Sequence, residues 1–347
     1  MKPLTYKLTV FLAAFLMIAP GMVWADIESP KLEKYREDVD RAVDSALAWL
    51  AKSQREDGSF PDNYGQTTAV VGLTGMAFLA RGHMPGRPPY GDVLDKCVDF
   101  ILANKQSNGY LDSPNSGGRM YAHCIATLFL SEVSGMVDPA RQKKIDETLP
   151  KSLKIILTAQ EVKKDKNHRG GWRYEPTSND SDISVSGWAL MALRSSRLNG
   201  APVPRETIDA AAEYIMRCRN SDGGFSYQPR GGSGVARTGL GLLCLELTGR
   251  HDTEVTRKAG DYLLRHLRPN DLLDDGHKEY AVYYCAQGMF QLGGEYWEQF
   301  AEAMYQYLLR TQEKDGAWRS GHGAVYPTAM GVLSLAVAYR QLPIYQR

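Results

Sequence analysis

Two kinds of apolar segment alternate along this chain. In the first kind, Ala42, Ala46, Trp49 and Leu50 recur at helical spacing with polar residues between them, which predicts an amphipathic helix ending in the turn from Gln54 to Phe60. In the second kind, Thr67 to Ala80 is apolar on every side, which predicts a buried helix. The same order recurs five more times. Phe100–Leu102 lead through Gly109-Tyr110 to a helix over Tyr121 to Val133, and Leu153, Ile156 and Leu157 lead through Gly171-Trp172 to a helix starting at Ile183. Tyr214 and Ile215 lead through Gly224-Phe225 to Val235–Leu247, and Tyr262–Leu264 lead through Gly276 to Ala281–Leu292. Tyr307–Leu309 then lead through Gly316 and Trp318 to Ala329–Tyr339. The pattern predicts six helix pairs and an all-α fold.

An open stack of such pairs needs polar outer faces on its end repeats. Here the second helices of the first and last pairs, around Val70-Val71 and Leu333-Ser334-Leu335, are as apolar as the middle ones, so a ring closed head to tail is expected. The small residues Gly72, Gly75, Gly239, Gly241, Gly288 and Gly331 fit close approach between helices of an inner ring. If the inner helices run parallel, their N-termini meet at one mouth, which offers unpaired N–H groups and partial positive charge. The pattern places Tyr121 and His123, Trp172, Asp180 and Asp182, Arg237, His277, Glu279 and Tyr280, and His322 with Tyr326 at that mouth. Asp182 stands immediately before Ile183 and reads as an acid that caps its helix.

Composition narrows the setting. Lys2 and Lys7 precede an apolar run from Val10 to Ala19 and a small-residue end at Ala25, which reads as a secretory signal over residues 1–25 followed by one domain over 26–347. The expected address is periplasmic or secreted, with no transmembrane span after signal cleavage. With 41 basic and 40 acidic residues the chain is close to neutral, and the basic loop around Lys163 and Arg169 is interrupted by Asp165, so no nucleic-acid partner is expected. Five cysteines, Cys97, Cys124, Cys218, Cys244 and Cys285, all sit among apolar helical residues and read as buried thiols.

The Gln…Gly-x-aromatic turn that follows each Tyr/Phe-Leu/Ile helix, clearest at Gln54-Gly58-Phe60 and Gln312-Gly316-Trp318, resembles the prenyltransferase/squalene oxidase repeat of protein prenyltransferases and of squalene and terpenoid cyclases. That resemblance covers essentially the whole chain after residue 25 and implies an α6/α6 toroid with a central funnel. Asp180-Ser-Asp182 is similar to the Asp-x-Asp-Asp motif of class II terpenoid cyclases; the resemblance puts Asp180 at its first position and Asp182 at its proton donor, while Ile183 replaces its last Asp. The prenyltransferase zinc set has no counterpart, because no Asp-x-Cys pair occurs; no metal or other cofactor is expected. Since Ile183 departs from the motif and the family's cyclases close their cavity with a second domain, the leading expectation is a toroid that holds an apolar, isoprenoid-like ligand or a protein partner without turning it over. The alternatives are a class II cyclase using Asp182 as acid, assisted by His277, and a glycan-active toroid pairing Asp182 with Glu279 and stacking sugars on its aromatic residues.

Overall fold

The structure, a computed structural model, describes residues 30–61, 66–112 and 117–345. The leader expected over residues 1–25 lies outside the described residues. Six outer helices alternate with six inner ones. The outer set is α1 (Pro30–Ser53), α3 (Gly91–Ala103), α5 (Pro139–Glu161), α7 (Arg205–Arg217), α9 (Glu254–Arg265) and α11 (Gly294–Thr311). The inner set is α2 (Thr68–Ala80), α4 (Arg119–Val133), α6 (Ile183–Leu198), α8 (Val235–Leu247), α10 (Lys278–Leu292) and α12 (Val325–Leu335). Each inner helix packs on the next, and α12 packs back on α2 while α1 packs on α11 and α12, so the ring is closed. Two short antiparallel pairings, Phe225–Ser226 with Ser233–Gly234 and Leu267–Arg268 with Leu272–Leu273, decorate the turns.

The repeated turn explains how one pair grips the next. Gly58, Gly109, Gly170, Gly223 and Gly316 all adopt φ between +86° and +95°. A Cβ at each would strike the following outer helix: Lys96 carbonyl at 2.4 Å from Gly58, Lys151 at 2.4 Å from Gly109, and Ser45 carbonyl at 2.6 Å from Gly316. Only glycine supplies both the backbone angle and the clearance. The glutamine that recurs before the turn then ties the joint. Gln160 Nε2 donates to Gly170 O at 2.8 Å and to Thr207 O at 3.0 Å, and Gln312 Nε2 donates to Gly316 O and Ala42 O, both at 2.8 Å, which joins the last pair to the first. In the Gly-Gly pairs the critical glycine is therefore the first, Gly170 and Gly223, and not Gly171 and Gly224 as the spacing predicts. The fifth unit lacks the device: nothing lies within 4 Å of a Cβ at Gly276, and a hairpin with positive φ at Asn270 and Leu272 takes its place.

Close approach inside the ring is real but has two origins. Gly239 lets α8 meet Cys285 of α10, where an added Cβ would lie 2.7 Å from the Cys285 backbone N, whereas Gly241 and Gly331 make room for the turn aromatics Phe225 and Trp318. All five cysteines are buried free thiols. At the C-terminal ends of the inner helices the chain's own last described residues close the ring: Leu342, Ile344 and Tyr345 are buried, and Gln291 Nε2 donates to Tyr345 O at 2.7 Å. Among the described residues no helix is long and apolar enough to cross a membrane.

Candidate active site

The inner-helix N-termini converge on one cavity of about 740 Å³, within the range of roughly 300–1,000 Å³ that holds a whole small molecule. Its lining is partly aromatic and aliphatic, with Tyr121, Trp188 and Tyr280 beside Val70, Leu73 and Ile125. It is partly polar, with Arg237, Asp275, His277, Glu279 and His322. Of the residues placed at the mouth from sequence, Tyr121, Arg237, His277, Glu279, Tyr280, His322 and Tyr326 all line this cavity.

Four do not, and two of them, His123 and Trp172, share a reason. Three turns send a backbone N–H to a hydroxyl on the inner helix: Trp172 N to Ser186 Oγ at 2.9 Å, Phe225 N to Thr238 Oγ1 at 2.9 Å, and Trp318 N to Thr328 Oγ1 at 3.0 Å. In the second unit that acceptor is His123, whose Nδ1 accepts from Leu111 N at 3.0 Å while Nε2 bonds Ser152 O at 3.0 Å. Both ring nitrogens are used, and burial pulls its pKa down to about 4. The expected ligand-binding His123 is thus a turn anchor. Trp172 is likewise buried, its indole donating to Ile156 O at 2.7 Å, and it packs the repeat instead of meeting a ligand.

Asp182 combines two properties that the sequence presents as alternatives. It is the N-cap of α6: Oδ1 accepts from both Ser184 N and Val185 N at 2.9 Å. It is also fully buried, and Oδ2 has no hydrogen bond of good geometry; the Tyr227 hydroxyl lies close enough to lower the pKa, and the nearest charge is Arg173 Nε at 3.6 Å. Two N–H donors, the helix dipole and a guanidinium all favour the carboxylate. Burial outweighs them and raises the Asp182 pKa to about 6, with the Val185 N–H and Arg173 acting against it. The helix N-terminus alone would lower this pKa, and desolvation reverses the direction of the shift. Asp182 does not itself line the cavity, but Ser184 of its first turn and the neighbouring Tyr121, Tyr227 and Tyr280 do.

Asp180 is half-exposed and outside the cavity lining. Its Oδ2 accepts from Arg173 Nη1 at 2.8 Å, so it holds the guanidinium that faces Asp182 and is not placed to act as an acid on a ligand. His277, expected beside Asp182, has no hydrogen bond or ion pair with it among the described residues; its ring stacks on His322 at 5.8 Å. Arg173, Tyr227 and Asp275 were not singled out from sequence. Internal alignment holds a signal for one of them: Tyr174 follows Trp172 by two, as Tyr227 follows Phe225 by two, and their hydroxyls meet at 2.5 Å beneath the Arg173 guanidinium. Among the described residues no group of three or more His, Cys, Asp or Glu side chains is arranged to hold a metal.

A closed ring of six helix pairs around an amphipathic cavity defines an α6/α6 toroid. Residues 90–271 and 262–347 match the family described as the prenyltransferase alpha-alpha toroid domain, and the chain belongs to that family. A drimenyl diphosphate synthase from Streptomyces showdoensis is 30% identical over 188 residues, a match spanning 54% of this chain and 32% of that protein. The type II terpene cyclase MstE from Scytonema, in a substituted form complexed with its substrate geranylgeranyl dihydroxybenzoate, superimposes with a TM-score of 0.60 at 15% identity, covering 90% of this chain and 99% of that one. The GH76A alpha-1,6-mannanase from Salegentibacter sp. HEL1_6 superimposes with a TM-score of 0.63 at 11% identity, covering 87% and 99%. At these identities the two structures speak for the fold alone.

Proposed function

We propose that this toroid is a class II-type terpenoid cyclase in which Asp182 protonates an alkene of an isoprenoid held in the cavity. One observation carries the reading: Asp182 Oδ2 is a buried, hydrogen-bond-free oxygen on a carboxyl whose pKa lies near 6, two residues from a side chain that lines the cavity. Both N–H donors engage Oδ1, so a proton on this carboxyl is carried by Oδ2. Proton transfer breaks the O–H bond, the alkene π pair forms the new C–H bond, and the cation that results is attacked by the next alkene to close a ring. Loss of a proton from the final cation ends the reaction, Asp182 regains a proton from solvent, and the net change is isomerisation. Faces of Tyr121, Trp188 and Tyr280 along the wall favour a passing cation by roughly 0.5–2 kcal/mol each.

Two arguments for a holder without turnover weaken against this. The second domain with which the family's cyclases close their cavity loses its force as an argument, since this fold spans 99% of a type II terpene cyclase chain. Ile183 does replace a carboxylate, but it is buried and its N–H bonds Tyr227 O at 2.9 Å, leaving Arg173 as the charge nearest the acid. The similarity to a drimenyl diphosphate synthase points to the same chemistry. The test is incubation of wild type and Asp182→Asn with squalene, farnesyl diphosphate, geranylgeranyl diphosphate and the matching alcohols, with products read by mass spectrometry. Cyclic product from wild type and none from the variant supports the reading; no cyclic product from any of them, or equal product from both, refutes it. Residues 1–25 are further proposed to direct export, so the secreted protein should begin at Asp26 by N-terminal sequencing; a chain retaining Met1 inside the cell would refute that.

A further inference from the structure

At the C-terminal ends of the inner helices the ring is filled by a segment that belongs to none of its twelve helices. After α12 the chain runs through a short 3-10 helix (Ala336–Tyr339) and turns at Arg340, whose φ of +53° lies in the left-handed region. Arg340 and Gln341 are exposed, and Leu342, Ile344 and Tyr345 then turn inward and are buried. Polar contacts hold them there. Ile344 N donates to Glu132 Oε2 at 3.3 Å, Gln291 Nε2 donates to Tyr345 O at 2.7 Å, and the Tyr345 hydroxyl meets the Tyr283 hydroxyl and lies 3.9 Å from Met191 Sδ. Tyr283 in turn stacks on Trp188 with ring centroids 5.9 Å apart, so the segment backs a side chain that lines the cavity.

One of these contacts is with an ionisable group that lacks a counter-charge. Glu132 is buried, its Oε1 bonded to Ser195 Oγ at 2.5 Å, and Ser195 Oγ also bonds Ser131 Oγ at 2.9 Å. With a proton on Oε1 directed at Ser195, this network is neutral and each of its oxygens has a partner. Among the described residues no ion pair reaches Glu132, and its surroundings supply no cation. Helix α2 contains no charged residue, and the buried face of α5 carries no titratable side chain. Arg194 of α6 donates Nη1 to Leu247 O at 2.6 Å, Glu246 of α8 is paired with His251 at 2.6 Å, and the exposed Arg340 lies over the Phe290 ring at 5.2 Å. The titratable groups that do face Glu132 are the Tyr283 and Tyr345 hydroxyls, which burial pushes far up and keeps neutral. We propose that residues 341–345 form a proton-operated strap: protonated Glu132 seats it in the ring, and ionisation of Glu132 releases it and takes the backing from Trp188. The seated strap keeps water from the carboxyl and the released strap admits it, so the proton is held more tightly in the seated state. By linkage, seating weakens as pH rises from the ordinary carboxyl value of 4.5 to about 7 and levels off above, where the group is ionised in both states. The device needs neither ligand nor turnover and stands apart from the cyclase reading.

Hydrogen–deuterium exchange of the full chain measures the strap directly, read by mass spectrometry on the peptide carrying Leu342, Ile344 and Tyr345 and corrected for the intrinsic pH dependence of exchange. Between pH 5 and pH 8 its protection should fall at least tenfold in wild type, most of it below pH 7.5, while the amides of α6 around Trp188 stay protected. Glu132→Gln keeps a hydrogen-bonding group at both positions and cannot ionise, so its fall should be less than twofold. Asp182→Asn, at the other end of the ring, should retain the wild-type fall. A smaller fall in wild type, a Glu132→Gln profile that follows wild type, or strap amides that exchange only in step with those of α6 would overturn the proposal. Should Glu132→Gln not fold, the wild-type profile decides by its shape: levelling off above pH 7.5 supports the strap, and a fall that continues with undiminished slope to pH 9 belongs to another group and overturns it.

Discussion

Asp182 and Glu132 are buried carboxyls at opposite ends of the inner ring, and comparing them separates burial from function. Burial raises both, Asp182 to about 6 and Glu132 to about 7. Glu132 lies in the last turn of α4, where the helix dipole disfavours its charge. Both of its oxygens are occupied: Ser195 donates to Oε1 at 2.5 Å, and Ile344 N donates to Oε2 at 3.3 Å from the segment that closes the ring. Asp182 has the better-stabilised position, at a helix N-terminus with two N–H donors and Arg173, yet keeps one oxygen without a hydrogen bond beside a cavity. A raised pKa is thus common to a structural acid and a candidate catalytic one. What distinguishes them is the oxygen without a hydrogen bond and the cavity that Ser184, two residues on, helps to line.

The largest effect that would break this comparison is on turnover. Asp182→Asn should lower the rate of any cyclisation by roughly 100- to 10,000-fold, while Glu132→Gln should leave it within about twofold; steady-state assays of both variants decide. Next comes stability against pH. A carboxyl whose folded-state pKa exceeds its unfolded value binds more protons when folded, so stability falls as pH rises through the window between the two values. For Asp182 that window runs from 3.8 to about 6, and for Glu132 from 4.5 to about 7. Each contributes a loss of about 3 kcal/mol across its window. Melting curves of either amide variant should therefore show a smaller drop between pH 4 and pH 8 than wild type, and an unchanged drop would mean that the carboxyl is not held protonated.

A third prediction concerns the guanidinium that restrains Asp182. Arg173→Gln removes the charge 3.6 Å from Oδ2, so the alkaline limit of activity should move up by roughly one unit. A limit that stays in place would assign the pH dependence to another group. The smallest effect belongs to the closed end. Tyr345→Phe deletes the hydroxyl that bonds the Tyr283 hydroxyl and should cost about 0.5–1.5 kcal/mol by chemical denaturation with turnover unchanged.

Much of the ring could be read from the chain because its signals are local. Val235–Leu247 has the boundaries its apolar run predicts, and closure follows from end helices that have no polar face. The signals failed where direction or distance matters more than position. His123 and Trp172 stand at the predicted height along the ring, but sequence spacing fixes height and not the side to which a ring points, and both point into the repeat joint. Gly170 and Gly171 are indistinguishable as letters, and only the φ of +86° at Gly170 singles out the first. The cap at Asp182 was legible from its place before Ile183. Its raised pKa was not, because the desolvation comes from the packing around it, which no local spacing encodes.

The central claim is that Asp182 delivers a proton to carbon. It is tested most directly by running the reaction in deuterium oxide with whichever isoprenoid wild type cyclises, and weighing the product. The account predicts a product one mass unit heavier than that formed in ordinary water, with the deuterium on carbon, any phosphate ester still attached, and no such product from Asp182→Asn. A cyclic product carrying no deuterium on carbon, or one formed with release of diphosphate, would contradict it.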